Sequence, residues 1–112
     1  MLICEAGDVA IVPFPFTDMA VAKPRPALAL STGKANGESG NTIFAMITTA
    51  AKSHWPTDVP LADAQAVGLD AASLVRLRLF TLDNRLVSRK IGALTPRDRA
   101  AVRKMLRAVV GI

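Results

Sequence analysis

Apolar and polar positions along this chain fall into short runs of strand character, and helical spacing appears only at the end. Val9 to Phe16, VAIVPFPF, is β-branched and aromatic, and predicts a strand over Asp8 to Phe14. Pro13 and Pro15 limit ladder bonding at its far end. Residues 17–26, TDMAVAKPRP, predict a loop in which Pro24 and Pro26 bracket Arg25 and extend the backbone before them. Ala27 to Ser31 is a second short strand, 32–41 (TGKANGESGN) a loop, and Thr42 to Thr49 a third strand. A loop over Lys52 to Asp58 carries His54, Trp55 and Pro56. Val59 to Leu61 is a short strand, and 62–71 turns back through Gly68. Ser73 to Phe80, SLVRLRLF, alternates, with Val75, Leu77 and Leu79 directed to the core and Arg76, Arg78 and Phe80 to an open face. Asp83-Asn84 marks a turn, and Leu86 to Ile91 is a further strand ending at Gly92.

The C-terminal segment changes period. Thr95 is placed to cap a helix, Pro96 suits its first position, and Asp98 stands where the acid of a capping box belongs. Val102, Met105, Leu106 and Val109 form one apolar stripe. Arg99, Arg103, Lys104 and Arg107 lie mostly off it, and Gly111 is expected to end the helix. Short strands followed by one helix predict a mainly β fold, a small twisted antiparallel barrel, as one domain over residues 1–112.

Composition adds three constraints. With 112 residues, 51% of them hydrophobic, the chain holds more apolar side chains than one small core needs, which points to a buried homodimer interface. A net charge of +5 favours polyanions or an acidic partner protein. Cys4 is the only cysteine and His54 the only histidine, which excludes an internal disulfide and a clustered zinc site. No apolar run is long enough to span a bilayer, and MLICEAGD lacks the features of a signal peptide, so a cytoplasmic protein without membrane contact is expected.

The chemistry available is narrow. No nucleophile elbow, zincin motif or phosphate-binding loop is present. Arginines, hydroxyls, scattered acids and one histidine suit phosphodiester cleavage in RNA, where the substrate brings its own 2′-hydroxyl nucleophile. Arg25, on a restrained backbone, is a candidate phosphate ligand, although a surface arginine in a Pro-rich turn is the commoner case. Thr48 and Thr49 end an apolar strand, where threonine is also a common strand residue. Arg76 and Arg78 beside Phe80 suit a single strand whose bases stack while its phosphates are held, or else form a solvated strand face. His54 is a candidate acid or base that no visible partner orients. Trp55 is a candidate stacking platform or a plug for the barrel end.

Five blocks, GDVAIVPFPFTD, KPRPALALS, IFAMITT, SLVRLRLFTLD and RLVSRKIGALTPRD, follow one another in the order seen in MazF/PemK-like toxins, which the chain resembles from about Gly7 to the C-terminal helix. The resemblance implies an SH3-like barrel of the MazF/PemK/CcdB type, a homodimer, and metal-independent, cofactor-free cleavage of single-stranded RNA (mRNA) to 2′,3′-cyclic phosphate and 5′-hydroxyl ends. It implies control by an acidic antitoxin, with operator DNA contacted only through that antitoxin. Arg25-Pro26 matches the family's functional arginine and Ile47-Thr48 its functional threonine. On this basis Arg25 and Thr48 are expected to be catalytic, and Thr49, His54, Trp55, Arg76, Arg78 and Phe80 to bind RNA. Relatives usually read V-R-x-D-x-x-F-T-L-D. This chain is one residue shorter there, and Arg78 replaces the acid, which leaves His54 and Asp58 as alternative bases. A deletion of one residue would reverse strand facing unless a bulge absorbs it. Two competing readings are a CcdB-like toxin that binds gyrase, with no need of Arg25 or Thr48, and a non-catalytic barrel that binds RNA or antitoxin.

Overall fold

The computed structural model describes residues 1–16, 23–50 and 53–112. Six strands, β1 (Asp8–Pro13), β2 (Pro24–Ala29), β3 (Asn41–Thr49), β4 (Val59–Pro60), β5 (Ser73–Asp83) and β6 (Arg89–Ala93), form one antiparallel sheet in the order β4-β5-β3-β2-β1-β6. A short helix α1 (Gly33–Ser39) joins β2 to β3, and helix α2 (Pro96–Val109) closes the chain. The sheet is curled into a half-barrel, the mainly β architecture with a C-terminal helix that the pattern predicts. The loop expected over 17–26 lies outside the described residues at 17–22, as does Lys52 of the following loop.

Both faces of the sheet are packed. Successive side chains of a strand point to opposite faces. One face carries Ala10, Val12, Phe14, Ala27, Ala29, Phe44, Phe80 and Leu82. The other carries Val9, Leu28, Ala45, Ile47 and Val75, covered by Val67 and Leu69 from the 62–72 segment, Leu94 from the link between β6 and α2, and Val102 from α2. Two packed faces explain why β1 and β2 read as continuous apolar runs. They also give the hydrophobic surplus a destination inside a single subunit.

Several boundaries depart from expectation. Residues 32–41 are not a loop. Thr32 Oγ1 accepts from the amide of Ala35 (3.2 Å), and Gly40, at φ +73°, ends the helix through its amide to Asn36 O (3.0 Å). Gly33 and Gly37 depress helix propensity, so the turn is held by the buried Asn36, whose amide donates to Cys4 O (2.8 Å) and Ser31 O (3.2 Å). Strand β2 begins at Pro24, three residues before the expected start. Pro24 and Pro26 turn their missing N–H groups to one side, and recorded pairs with β3 begin only at Ala27. The last strand is Arg89–Ala93 because Asp83 caps a 3-10 turn over Asn84–Leu86, its Oδ1 accepting from the Arg85 amide (2.9 Å).

Helix α2 starts as the sequence predicts, with Thr95 Oγ1 accepting from the Asp98 amide (3.3 Å). The Asp98 carboxylate does not complete a local capping box. It accepts from Ala62 (2.8 Å) and Asp63 (3.2 Å), which ties the helix to the segment after β4. Val102, Met105 and Leu106 pack as the stripe predicts, whereas Val109 is exposed. The helix ends at an extended Val110, before Gly111.

Candidate active site

Paired residues on neighbouring strands share a face of the sheet. Phe44 pairs with Phe80, Met46 with Arg76 and with Ala27, and Thr48 with Leu74. The β2–β3 register, carried two residues beyond Ala27 and Met46, brings Arg25 level with Thr48. Arg25 itself pairs with Val12 on β1. Arg25, Thr48 and Arg76 therefore stand on one face, the face that holds the phenylalanines. Arg25 is exposed and makes no ion pair among the described residues. Thr48 is half-buried beside it on the next strand.

Thr49 goes the other way. It pairs with Ser73 on the opposite face and lines a cleft of about 720 Å³ with Ile11, Ser73, Arg89 and Lys90. The two adjacent threonines thus serve different surfaces, and the structure does not bring Thr49 to Arg25.

Strand β5 requires a correction. The pairs step from Ala45↔Leu79 to Met46↔Arg76, so Leu77 and Arg78 form a bulge inside the shortened stretch. Three residues on β5 against one step on β3 keep Arg76 and Phe80 on a common face. That face is not open. Phe80 is buried against Phe14 (5.6 Å between ring centroids), Phe16 (5.4 Å) and Phe44 (5.7 Å, stacked). Of the trio expected on it, only Arg78 stays half-exposed, its guanidinium carbon 3.9 Å from the Phe16 ring centroid. Leu79, expected in the core, is exposed.

Arg76 is buried as well, and occupied. Its Nε donates to Asp58 Oδ1 (3.0 Å), Nη1 to Ser53 Oγ (2.9 Å), and Nη2 to Asp58 Oδ2 (2.8 Å) and Ser53 O (3.2 Å). The Arg76 bonds hold the Asp58 carboxyl below its ordinary pKa and raise that of Arg76 in turn, each against an opposing desolvation effect. A carboxylate fixed in this way is a weaker proton acceptor than a free one. His54 and Trp55 project from the same loop, both exposed. Sequence reasoning missed Ser53 and Phe16. The FPF doublet was the only signal for Phe16, and nothing local marks Ser53.

Among the described residues, no group of three or more His, Cys, Asp or Glu side chains is placed to hold a metal ion. No described helix is long and apolar enough to cross a membrane.

Residues 5–110 match the model of the PemK-like, MazF-like toxins of type II toxin–antitoxin systems. The chain belongs to this family. Its fold is similar to that of MazF from Deinococcus radiodurans, at 26% identity over 100% of both chains and a TM-score of 0.77. An endoribonuclease from a Mycobacterial species, solved with its cognate antitoxin, has the same TM-score of 0.77 at 18% identity, covering 100% of this chain and 97% of its own. The Mycobacterium tuberculosis toxin MazF-mt6 follows at 24% identity and a TM-score of 0.70, over 88% of this chain and 91% of its own. Among curated proteins none matches the chain.

Proposed function

We propose that this toxin is an endoribonuclease that cleaves single-stranded RNA, with Arg25 and Thr48 as its catalytic residues. The observation that carries the reading is their placement: an exposed cation with no carboxylate partner among the described residues, level with a threonine on the adjoining strand and on the same face. In the reaction the substrate's 2′-oxygen attacks the adjacent phosphorus and loses its proton. The bond to the 5′-oxygen breaks, and that oxygen takes up a proton. The products are a 2′,3′-cyclic phosphate and a 5′-hydroxyl. Arg25 neutralises the charge that builds on the phosphorane, and the Thr48 hydroxyl donates to a non-bridging oxygen. The reaction needs no metal, because the nucleophile is the substrate's own. His54 is the better candidate for proton transfer, since Asp58 is held by Arg76.

The reading includes a cytoplasmic homodimer and an acidic antitoxin that touches operator DNA on the pair's behalf. Ile43 and Leu79 are exposed diagonal neighbours on β3 and β5, an apolar patch suited to a second copy. A groove of about 200 Å³ between β2 and α2, floored by Leu28, Leu30 and Leu106 and rimmed by Arg99 and Arg103, suits an acidic amphipathic segment.

The test is incubation of the purified protein with a long single-stranded RNA in EDTA, with mapping of the cut ends. Discrete cuts bearing 2′,3′-cyclic phosphate are expected from the wild type and none from Arg25→Ala. Toxicity that persists in Arg25→Ala would move the target to a protein such as gyrase.

A further inference from the structure

The 53–58 segment ahead of β4 is tied down by a set of polar contacts, and what they hold in place is an aromatic ring. Asp58 Oδ2 accepts from the Trp55 amide (2.8 Å), and the Asp58 amide donates to Trp55 O (3.0 Å), closing a tight turn. Arg76 reaches across from β5 and binds both ends of the segment, Ser53 and Asp58. Its guanidinium carbon lies 5.0 Å from the centroid of the Trp55 ring. One face of the indole is thus covered by a cation, yet Trp55 remains 38% exposed.

Two physical points decide what this assembly does. Arg76 makes four hydrogen bonds, so most of its five N–H donors are used and its charge is cancelled by Asp58. It has little left with which to hold a phosphate. A buried ion pair also contributes modest net stability, because desolvation offsets most of the attraction, and its better-attested use is to fix geometry. A rigid, half-exposed indole backed by a cation is a surface on which an unpaired base stacks without regard to its identity.

We propose that Asp58 and Arg76 form a latch that presents Trp55 as a fixed stacking platform for an unpaired base of the bound RNA. Arg76 is then a positioning residue. The proposal rests on the ribonuclease reading and adds to it a base subsite on the 53–58 segment, apart from Arg25 and Thr48.

Trp55 is the only tryptophan in the chain, so its emission reports on this site alone. The probe is a short single-stranded oligoribonucleotide with 2′-O-methyl sugars throughout, which binds without being cut. Binding is expected to quench the emission of the wild-type protein. Trp55→Ala is expected to weaken binding about tenfold, and Trp55→Phe to recover part of that loss. Asp58→Asn is expected to make Trp55 more accessible to acrylamide and to weaken the probe about as much as Trp55→Ala. Arg76→Lys, which keeps a cation beside Asp58 but loses the fork, is the second variant should Asp58→Asn fail to fold by circular dichroism, and the same direction is expected. Unchanged acrylamide quenching in a folded latch variant overturns the latch. Unchanged affinity in Trp55→Ala, or no binding by the wild type, overturns the platform. Whether the wild type cuts unmodified RNA decides the ribonuclease reading separately.

Discussion

Two arginines on one face of the sheet are in opposite states. Arg25 is exposed on β2, between two prolines, with no carboxylate partner among the described residues. Arg76 is buried on β5, with its charge matched by Asp58 at 2.8 Å. The difference teaches that residue type and strand face do not assign a role. A guanidinium serves a substrate phosphate only if its own protein has left its donors free, and it serves the fold when they are spent. Arg25→Ala is the substitution that should separate the two most sharply. It removes a charge that no described carboxylate balances, so the fold is expected to stay intact. The cleavage rate should fall about 10²–10³-fold, the usual loss for one transition-state donor. A single-turnover assay, with thermal melting as a control, checks this, and a melting temperature that falls with the rate would collapse the contrast.

Arg76→Ala should show the reverse emphasis. It leaves the Asp58 carboxylate in a site where its side chain is 1% exposed. Orphaning a buried charge costs about 3 kcal/mol or more, which for a domain of this size lowers the melting temperature by on the order of 10 °C. Differential scanning calorimetry measures it. A melting temperature within a degree or two of wild type would mean that the loop opens and solvates Asp58.

The same pair gives a pH signature. Arg76 holds the folded-state pKa of Asp58 below its ordinary value, with lesser help from the Trp55 amide and His54. The stability this contributes is fully present above the unfolded carboxylate value, about 3.9, and is lost as pH falls through the lower folded value. Acid titration followed by Trp55 emission should therefore show a transition below about pH 4 that Asp58→Asn removes. A transition of equal size in Asp58→Asn would assign it to other carboxylates.

These contrasts were only partly legible in the chain. The positions of the strands along the chain, the C-terminal helix and its Thr95 cap follow from local pattern and local hydrogen bonds, whereas the order β4-β5-β3-β2-β1-β6 rests on pairings remote in sequence. Helix α1 does not, because Gly33 and Gly37 argue against it and its anchor, Asn36, bonds to Cys4, which is 32 residues distant. The alternation in β5 correctly grouped Arg76 with Phe80, but period alone cannot say what covers a face. Phe14 and Phe16 cover Phe80, and the 53–58 loop covers Arg76, both through contacts remote in sequence. For the same reason Thr48 and Thr49 looked like a pair although they point to opposite sides.

A third arginine supplies the control that tells charge pairing from burial. Arg85 Nη2 meets Asp83 Oδ2 at 2.8 Å, the same distance as in the Arg76–Asp58 pair, but the side chains are 75% and 36% exposed against 9% and 1%. Arg85 brings the Asp83 pKa down to about 2, so by that measure the exposed pair is coupled as well. Water and salt screen such a pair, and holding two long side chains together costs them freedom. Asp83 also keeps its bond from the Arg85 backbone amide when the side chain is cut back. Arg85→Ala is accordingly expected to leave the melting temperature within experimental error, and to leave Trp55 emission untouched. If it destabilises as much as Arg76→Ala, then attraction between opposite charges carries both pairs and burial adds nothing. If it does not, the large effect at Arg76 belongs to the desolvated carboxylate left behind and to the loop that the arginine holds in place.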